Sequence, residues 1–311
     1  MINRVIHFGS PVYLSTNNDQ LVVKIKTEKL DSNSETKQTE TVLSYPVEDI
    51  GVVIFDHPQI LISHGILSLL LDSNVAVIVC DKSRHPSGLM LPLSGHHLQQ
   101  ERFTIQIEAS EPLKKKMWQQ TIKSKIMNQA FLLGKVNIKT KNMIYWAESV
   151  RSGDPDNYEG RSAAYYWKNL FTQYVSEFKR DREGMPPNNV LNYGYSILRA
   201  MTSRNLVATG LLPTFGIHHH NRYNAFCLAD DIMEPYRPFV DGVVLEMISN
   251  GVDISELHKD VKAELLRIGD VDVLLNGKRS PLSSALQKTT QSVAQCFSAT
   301  MRKISYPEWP E

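Results

Sequence analysis

The sequence predicts an α+β protein: a small β-rich N-terminal domain over residues 1–85, a linker over 86–100, and a larger all-α C-terminal domain over 101–311. Three observations carry that expectation. Short β-branched runs dominate the first 85 residues, apolar spacing turns helical near Leu98 and stays so, and a Pro-, Gly- and Ser-rich connector, "KSRHPSGLMLPLSGHH", separates the two regimes. A hydrophobic content of 42% supplies enough apolar material for sizeable cores and argues against disorder.

The runs "RVIHFG", "PVYLSTNNDQLVVKIK", "ETVLSYPVEDIGVVIFD" and "VAVIVCD" are separated by Asn, Asp, Gly and Pro, as strands bounded by turns are. Polar, Ser/Thr-rich text between Glu28 and Glu40 reads as a long hairpin tip. Within "PQILISHGILSLLLDSN", Ile60, His64, Leu67 and Leu71 recur at helical spacing, so one short helix is expected to pack on the sheet. Beyond the connector, "KKKMWQQTIKSKIMNQAFLLGKV" places Trp118, Ile122, Ile126 and Gln129 on one helix face. "YEGRSAAYYWKNLFTQYVSEF" aligns Ala163, Trp167, Leu170 and Tyr174. "NVLNYGYSILRAMTSRNLVATG" aligns Leu191, Tyr195, Leu198 and Thr202 and closes at Gly210. Further helices are expected at "FVDGVVLEMISNG", "ISELHKDVKAELLRI" and "PLSSALQKTTQSVAQCFSATMRKI".

Several classes are excluded. "MINRVIHFGSPVYL" lacks the basic-then-apolar profile of a secretory signal. The most apolar region, "ILISHGILSLLLDSNVAVIVC", is interrupted by His64, Gly65, Asp72 and Asn74, which argues against a transmembrane helix. Cys80, Cys227 and Cys296 are odd in number and far apart, so they read as reduced thiols of a cytoplasmic protein. The net charge of +1 says little, but its distribution says more: from Pro112 through Ala147 there are eight lysines and no acid before Glu148. That stripe (Lys114, Lys115, Lys116, Lys123, Lys125, Lys135, Lys139 and Lys141) reads either as a solvated helix face or, interleaved with Trp118, Phe131, Tyr145 and Trp146, as a nucleic-acid surface.

Two segments carry candidate chemistry. In "DNYEGRSAAYYW", Asp156 or Asn157 can cap a helix beginning near Tyr158, which puts Glu159 on the face of Ala163, Tyr166 and Leu170. A carboxylate there either complements the helix dipole or must find a cation. In "HHHNRYNAFCLADDIMEPYRPFVD", residues 218–241, a helix is expected to start around Arg222 and run to Pro235. Asp230 and Glu234 then lie at i, i+4, and Asp231 and Glu234 at i, i+3, a like-charge arrangement that costs free energy unless a cation intervenes. Arg237 is one candidate cation and a divalent metal is the other. Carboxylates with one imidazole suit Mg²⁺ or Mn²⁺ better than zinc, and such ions serve phosphate chemistry.

The ordered motifs "EGRSAAYYW", "GIHHHNRYNAF" and "LADDIMEPYRPFVD", following a β-rich region, resemble the CRISPR-associated adaptation endonuclease/integrase family, in the form that accompanies single-large-effector (type II) systems. The resemblance implies a catalytic metal site of Glu159, His219 and Glu234, with His219 selected because one residue, His220, separates it from the Asn-containing motif. It also implies Asp231 beside the ligands, and DNA-contacting or supporting roles for His220, Arg237 and His97; His97 lies in a Gly-x-His element, where His96 stands in place of the usual arginine. The implied reaction joins the 3′-hydroxyl of a captured DNA to a CRISPR repeat by transesterification, as part of antiviral defence. Implied partners are double-stranded DNA, a second copy of the chain through the β-rich domain, a small ferredoxin-like adaptation protein, and the effector with an accessory protein. Two readings compete: a stand-alone metal-dependent DNA nuclease, and a non-catalytic helical DNA-binding scaffold whose His/Asp/Glu set forms a salt-bridge network with Arg222 and Arg237.

Overall fold

In the computed structural model, residues 4–30, 36–175, 178–181 and 183–310 are described, and the chain divides into two units, Met1–Leu93 and Ser94–Glu311. The first carries β1 (Arg4–Phe8), β2 (Val12–Asn17), β3 (Gln20–Leu30), β4 (Thr36–Pro46), β5 (Ile50–Phe55), β6 (Ile60–Ile62), α1 (His64–Asp72), β7 (Ala76–Cys80) and β8 (Pro86–Met90). They form two four-stranded sheets, ordered β1-β5-β7-β8 and β4-β3-β2-β6. The run "IGVVIF" does not alternate because β5 lies between parallel neighbours β1 and β7 and is buried along its whole length. Leu14, Leu21, Val23, Ile50, Val53, Ile66 and Leu70 form the core, with α1 contributing the last two. β3 and β4 pair from Gln20↔Pro46 to Leu30↔Thr36, so most of the tip expected between Glu28 and Glu40 is paired strand, and only residues 31–35 lie outside the described residues.

The second unit carries α2 (Gln99–Ile107), α3 (Glu111–Lys135), α4 (Lys141–Ser149), α5 (Tyr158–Asn169), α6 (Asn188–Ala208), α7 (Cys227–Met233), α8 (Arg237–Ser249), α9 (Lys259–Leu266), β9 (Asp272–Leu275), β10 (Lys278–Pro281) and α10 (Leu282–Phe297). Helix α3 is central. Its buried face runs through Met117, Trp118, Ile122, Ile126 and Leu133, and it packs against α4, α5 and α8. The C-terminal segment also lies on it: Tyr306 Oη and Thr121 Oγ1 are 2.7 Å apart, Asn128 Nδ2 donates to Pro307 O at 3.0 Å, and Trp309 stacks on Phe131 and Phe239.

Four expectations are corrected. The region is not all-α, because β9 and β10 form a hairpin closed by Asn276 and Gly277, both at positive φ (52° and 75°), as a two-residue primed turn requires. The linker expected at 86–100 begins inside a strand: β8 pairs antiparallel with β7 at the sheet edge, where Pro86 and Gly88 are tolerated. The helix expected to reach Phe178 ends at Asn169, whose side chain turns back onto Tyr165 O at 2.7 Å while Thr172 Oγ1 bonds Asn169 O. The helix expected from Arg222 starts at Cys227, because Asn221 and Asn224 accept from the backbone N–H groups of Tyr223 and Phe226 and hold turns there.

Candidate active site

Glu159 is placed by a doubly capped helix start. Asn157, at φ +52°, accepts from Gly160 N at 3.1 Å, and the Asp154 carboxylate accepts from Tyr158 N and Glu159 N at 3.0 and 2.9 Å. These bonds satisfy the first N–H groups of α5 and set Glu159 against α3. There its Oε1 meets Lys125 Nζ at 2.8 Å.

The histidine loop is folded around Asp231, which is 0% exposed. Its Oδ2 accepts from Ile217 N and His218 N at 2.7 and 2.9 Å, and Oδ1 accepts from His219 N at 3.3 Å and contacts His219 Nδ1. Gly216 permits this wrap, since a Cβ there would lie 2.5 Å from His219 O and 2.7 Å from Asp231 Oδ2. The Asp231 contact commits Nδ1 and leaves Nε2 as the nitrogen available to a ligand. The Asp231 bond raises the His219 pKa against the effect of burial, and Glu234 and Glu159 add to the rise. His218 is held differently. Its ring stacks on Trp118 with centroids 4.0 Å apart and planes 1° from parallel, and burial lowers its pKa.

Glu234 follows α7 directly. Its Oε1 accepts from Arg237 Nε at 2.7 Å, and its Oε2 lies 2.6 Å from Lys125 Nζ, a Coulombic contact without well-directed hydrogen-bond geometry. Burial alone would raise the Glu234 pKa; Arg237 and Lys125 overcome that and hold it at about 2. Arg237 in turn lies over the Tyr195 ring, 4.7 Å from its centroid. The Tyr195 hydroxyl bonds Asp241, which also accepts from Tyr166 Oη at 2.7 Å. Asp241 is 1% exposed and burial pushes its pKa up to about 6.

The sequence-derived residues thus divide. Glu159, His219 and Glu234 share one electrostatic neighbourhood, with Asp231 and Arg237 in contact with them. His220 lines a cavity of about 300 Å³ beside His219, together with Lys114, Phe215 and Arg222. His97 is in a different setting, stacked on His96 at 4.5 Å. The like charges expected to crowd one another each have their own partner: Asp230 pairs with Arg199 Nε at 2.7 Å, Asp231 with the loop, and Glu234 with Lys125 and Arg237. Among the described residues Arg222 lies outside that network, and its guanidinium lies over Tyr223.

Lys125 is the residue that sequence reasoning misplaced. Grouped with the exposed lysine stripe, it is in fact buried with its ammonium between two carboxylates. The signal was available, because it lies seven residues after Trp118 and three after Ile122 on the buried face of α3.

Among the described residues, no three His, Cys, Asp or Glu side chains stand ready to enclose a metal. The donor chemistry nevertheless fits Mg²⁺ or Mn²⁺: two carboxylates, one of them a quarter exposed, converge on one cation, and a neighbouring imidazole has its far nitrogen free and its near one fixed by an acid.

Known proteins resemble this chain over most of its length. The family model described as CRISPR associated protein Cas1 matches residues 6–267. A CRISPR-associated endonuclease Cas1 from Neisseria meningitidis serogroup C (strain 8013) is 34% identical over 266 residues, covering 85% of this chain and 86% of that one. Among solved structures, a casposase bound to integration product superposes with a TM-score of 0.75 at 20% identity, covering 98% of this chain and 92% of that one. A chain of a Cas6-RT-Cas1–Cas2 complex gives a TM-score of 0.70 at 18% identity, covering 97% of this chain and 35% of that one.

Proposed function

The chain belongs to the CRISPR-associated Cas1 family, and on that premise we propose that it is a divalent-metal-dependent DNA integrase and endonuclease of CRISPR adaptation. The observation that carries the reading is the meeting of Glu159 and Glu234, from separate elements, on one cation position beside His219. The proposed reaction is a transesterification: the 3′-hydroxyl of a captured DNA attacks a phosphodiester of the CRISPR repeat, one P–O bond forms as another breaks, and no nucleotide cofactor is consumed.

Glu159, His219 and Glu234 would hold the Mg²⁺ or Mn²⁺, whose chemistry when bound is to offset the charge developing on the phosphoryl oxygens. The protein contributes positioning. Asp231 fixes the His219 ring and its tautomer, while Arg237 holds Glu234 ionised. The cavity beside His219, with Lys114, Arg222 and Phe215 in its lining, offers cations and an aromatic face to a DNA end.

The casposase bound to integration product and the Cas6-RT-Cas1–Cas2 complex support DNA and other CRISPR proteins as partners; that the DNA is double-stranded and one partner a small ferredoxin-like protein follows from the motif resemblance. Homodimerisation through the β-rich unit, a contribution from the effector, and a cytoplasmic location belong to the same proposal. Among the described residues no helix is long and apolar enough to cross a membrane. The Neisseria relative and the motif resemblance together support the single-large-effector (type II) form.

The test is strand joining with the purified partner, a supercoiled repeat plasmid and DNA ends bearing free 3′-hydroxyls. Glu159→Ala, His219→Ala and Glu234→Ala should each abolish joining while circular dichroism stays unchanged. Normal joining by any one removes that residue from the site. The ion pairs of Lys125 favour a second reading, a non-catalytic scaffold, which predicts DNA binding without turnover in any divalent ion. Fragments without joined products would indicate a nuclease.

A further inference from the structure

We propose that Lys125 is the internal competitor of the divalent ion: its ammonium occupies the gap between Glu159 and Glu234 and must leave when the ion enters, so this side chain sets the metal concentration at which the site loads. The inference rests on the metal-site reading above.

Geometry makes the two cations mutually exclusive. Lys125 Nζ lies 2.8 Å from a Glu159 oxygen and 2.6 Å from a Glu234 oxygen. A small divalent ion would bond those oxygens at about 2.1 Å, leaving no room for the ammonium between them. Charge points the same way. The two carboxylates are already balanced by Lys125 and Arg237, and a divalent ion added to that set would leave an uncompensated double charge in a largely buried site.

Of the two resident cations, Lys125 is the one able to move. Arg237 is additionally held over the Tyr195 ring, whereas the polar contacts of Lys125 among the described residues are the two glutamates alone. Its flexible four-carbon stem contrasts with the planar guanidinium fork of Arg237. Glu159, a quarter exposed, provides the side through which the ammonium can turn toward solvent. Without metal, the same contact holds the carboxylates together, so the site is assembled before the ion arrives.

The experiment titrates Mn²⁺ into the full-length wild type, Lys125→Met, Lys125→Arg and Glu159→Gln by isothermal calorimetry, with melting curves in EDTA and in saturating Mn²⁺. Lys125→Met should bind Mn²⁺ at least tenfold more tightly than wild type. It should melt lower than wild type in EDTA and gain more from Mn²⁺. Lys125→Arg, which keeps a cation, should show no tightening. Equal or weaker Mn²⁺ binding by Lys125→Met overturns the proposal. Absence of binding by wild type and Lys125→Met alike, or undiminished binding by Glu159→Gln, instead overturns the metal site itself and the inference with it. Should Lys125→Met not fold, a crystal structure of the wild type with Mn²⁺ decides: Nζ still within ion-pair distance of both glutamates refutes the exchange, and its withdrawal from them supports it.

Discussion

Asp231→Asn should separate the folding role of this carboxylate from its role at His219. In the wild type, Oδ2 serves Ile217 N and His218 N, and Oδ1 serves His219 N and Nδ1. Asparagine retains one oxygen, which can keep the two shorter backbone bonds at 2.7 and 2.9 Å. Its amide NH₂ then faces His219, whose Nδ1 must switch from donor to acceptor. The proton consequently moves to Nε2, the nitrogen proposed as ligand. The fold should lose only about 1–2 kcal/mol, chiefly from the weaker neutral bonds and the lost 3.3 Å contact. Metal affinity or strand joining should fall by about 10–100-fold, the usual cost of losing the partner that orients a ligating histidine. Asp231→Ala should be much worse for stability, since it strands buried N–H groups and leaves a void: about 3–5 kcal/mol. The assays are chemical denaturation, Mn²⁺ titration, and nitrogen-15 NMR of the His219 ring to read its tautomer. A folded Asp231→Asn protein with wild-type metal affinity and joining rate would refute the reasoning.

Four further outcomes are expected, three from the network around Glu234 and Asp241 and one from a close helix contact at Gly194. Glu234, depressed from an ordinary 4.5 to about 2, contributes stability that is fully present above pH 4.5 and lost as pH falls toward 2; the difference from Glu234→Gln across that window should be ~3 kcal/mol by denaturant titration. Asp241 has the opposite sign, because its pKa is raised from 3.8 to about 6: its contribution grows as pH falls through that interval, and Asp241→Asn should remove the growth. Tyr166→Phe deletes a buried bond to that carboxylate and should cost about 1.5–3 kcal/mol in the same titration. Gly194→Ala should cost about 1–3 kcal/mol in thermal unfolding, because its Cβ would sit 2.5 Å from Val240 Cγ1 and 3.2 Å from Leu265 Cδ2.

What could be read from the sequence followed from periodicity and local chemistry. The strands of the first unit, the start of α5 at an Asn cap, and the closure of α6 before Gly210 are each specified within a few residues. Glu159 could be singled out because a carboxylate on a buried helix face needs a cation. Which cation it would meet depends on α3 approaching α5, a tertiary fact that no local rule contains. For the same reason the like-charge argument over 230–234 was incomplete: Arg199 comes from another helix, 31 residues away, to meet Asp230. The hairpin of β9 and β10 was missed for a simpler cause, since "VLLNGKRS" carries an Asn-Gly turn signal in a region read as wholly helical.

The bonds from Tyr306 to Thr121 and from Pro307 to Asn128 grip α3 one turn before and one turn after Lys125. Residues 306–309 thus brace the helix that carries Lys125 although they lie about 180 residues further along the chain, and trimming them should loosen the helix that positions this lysine.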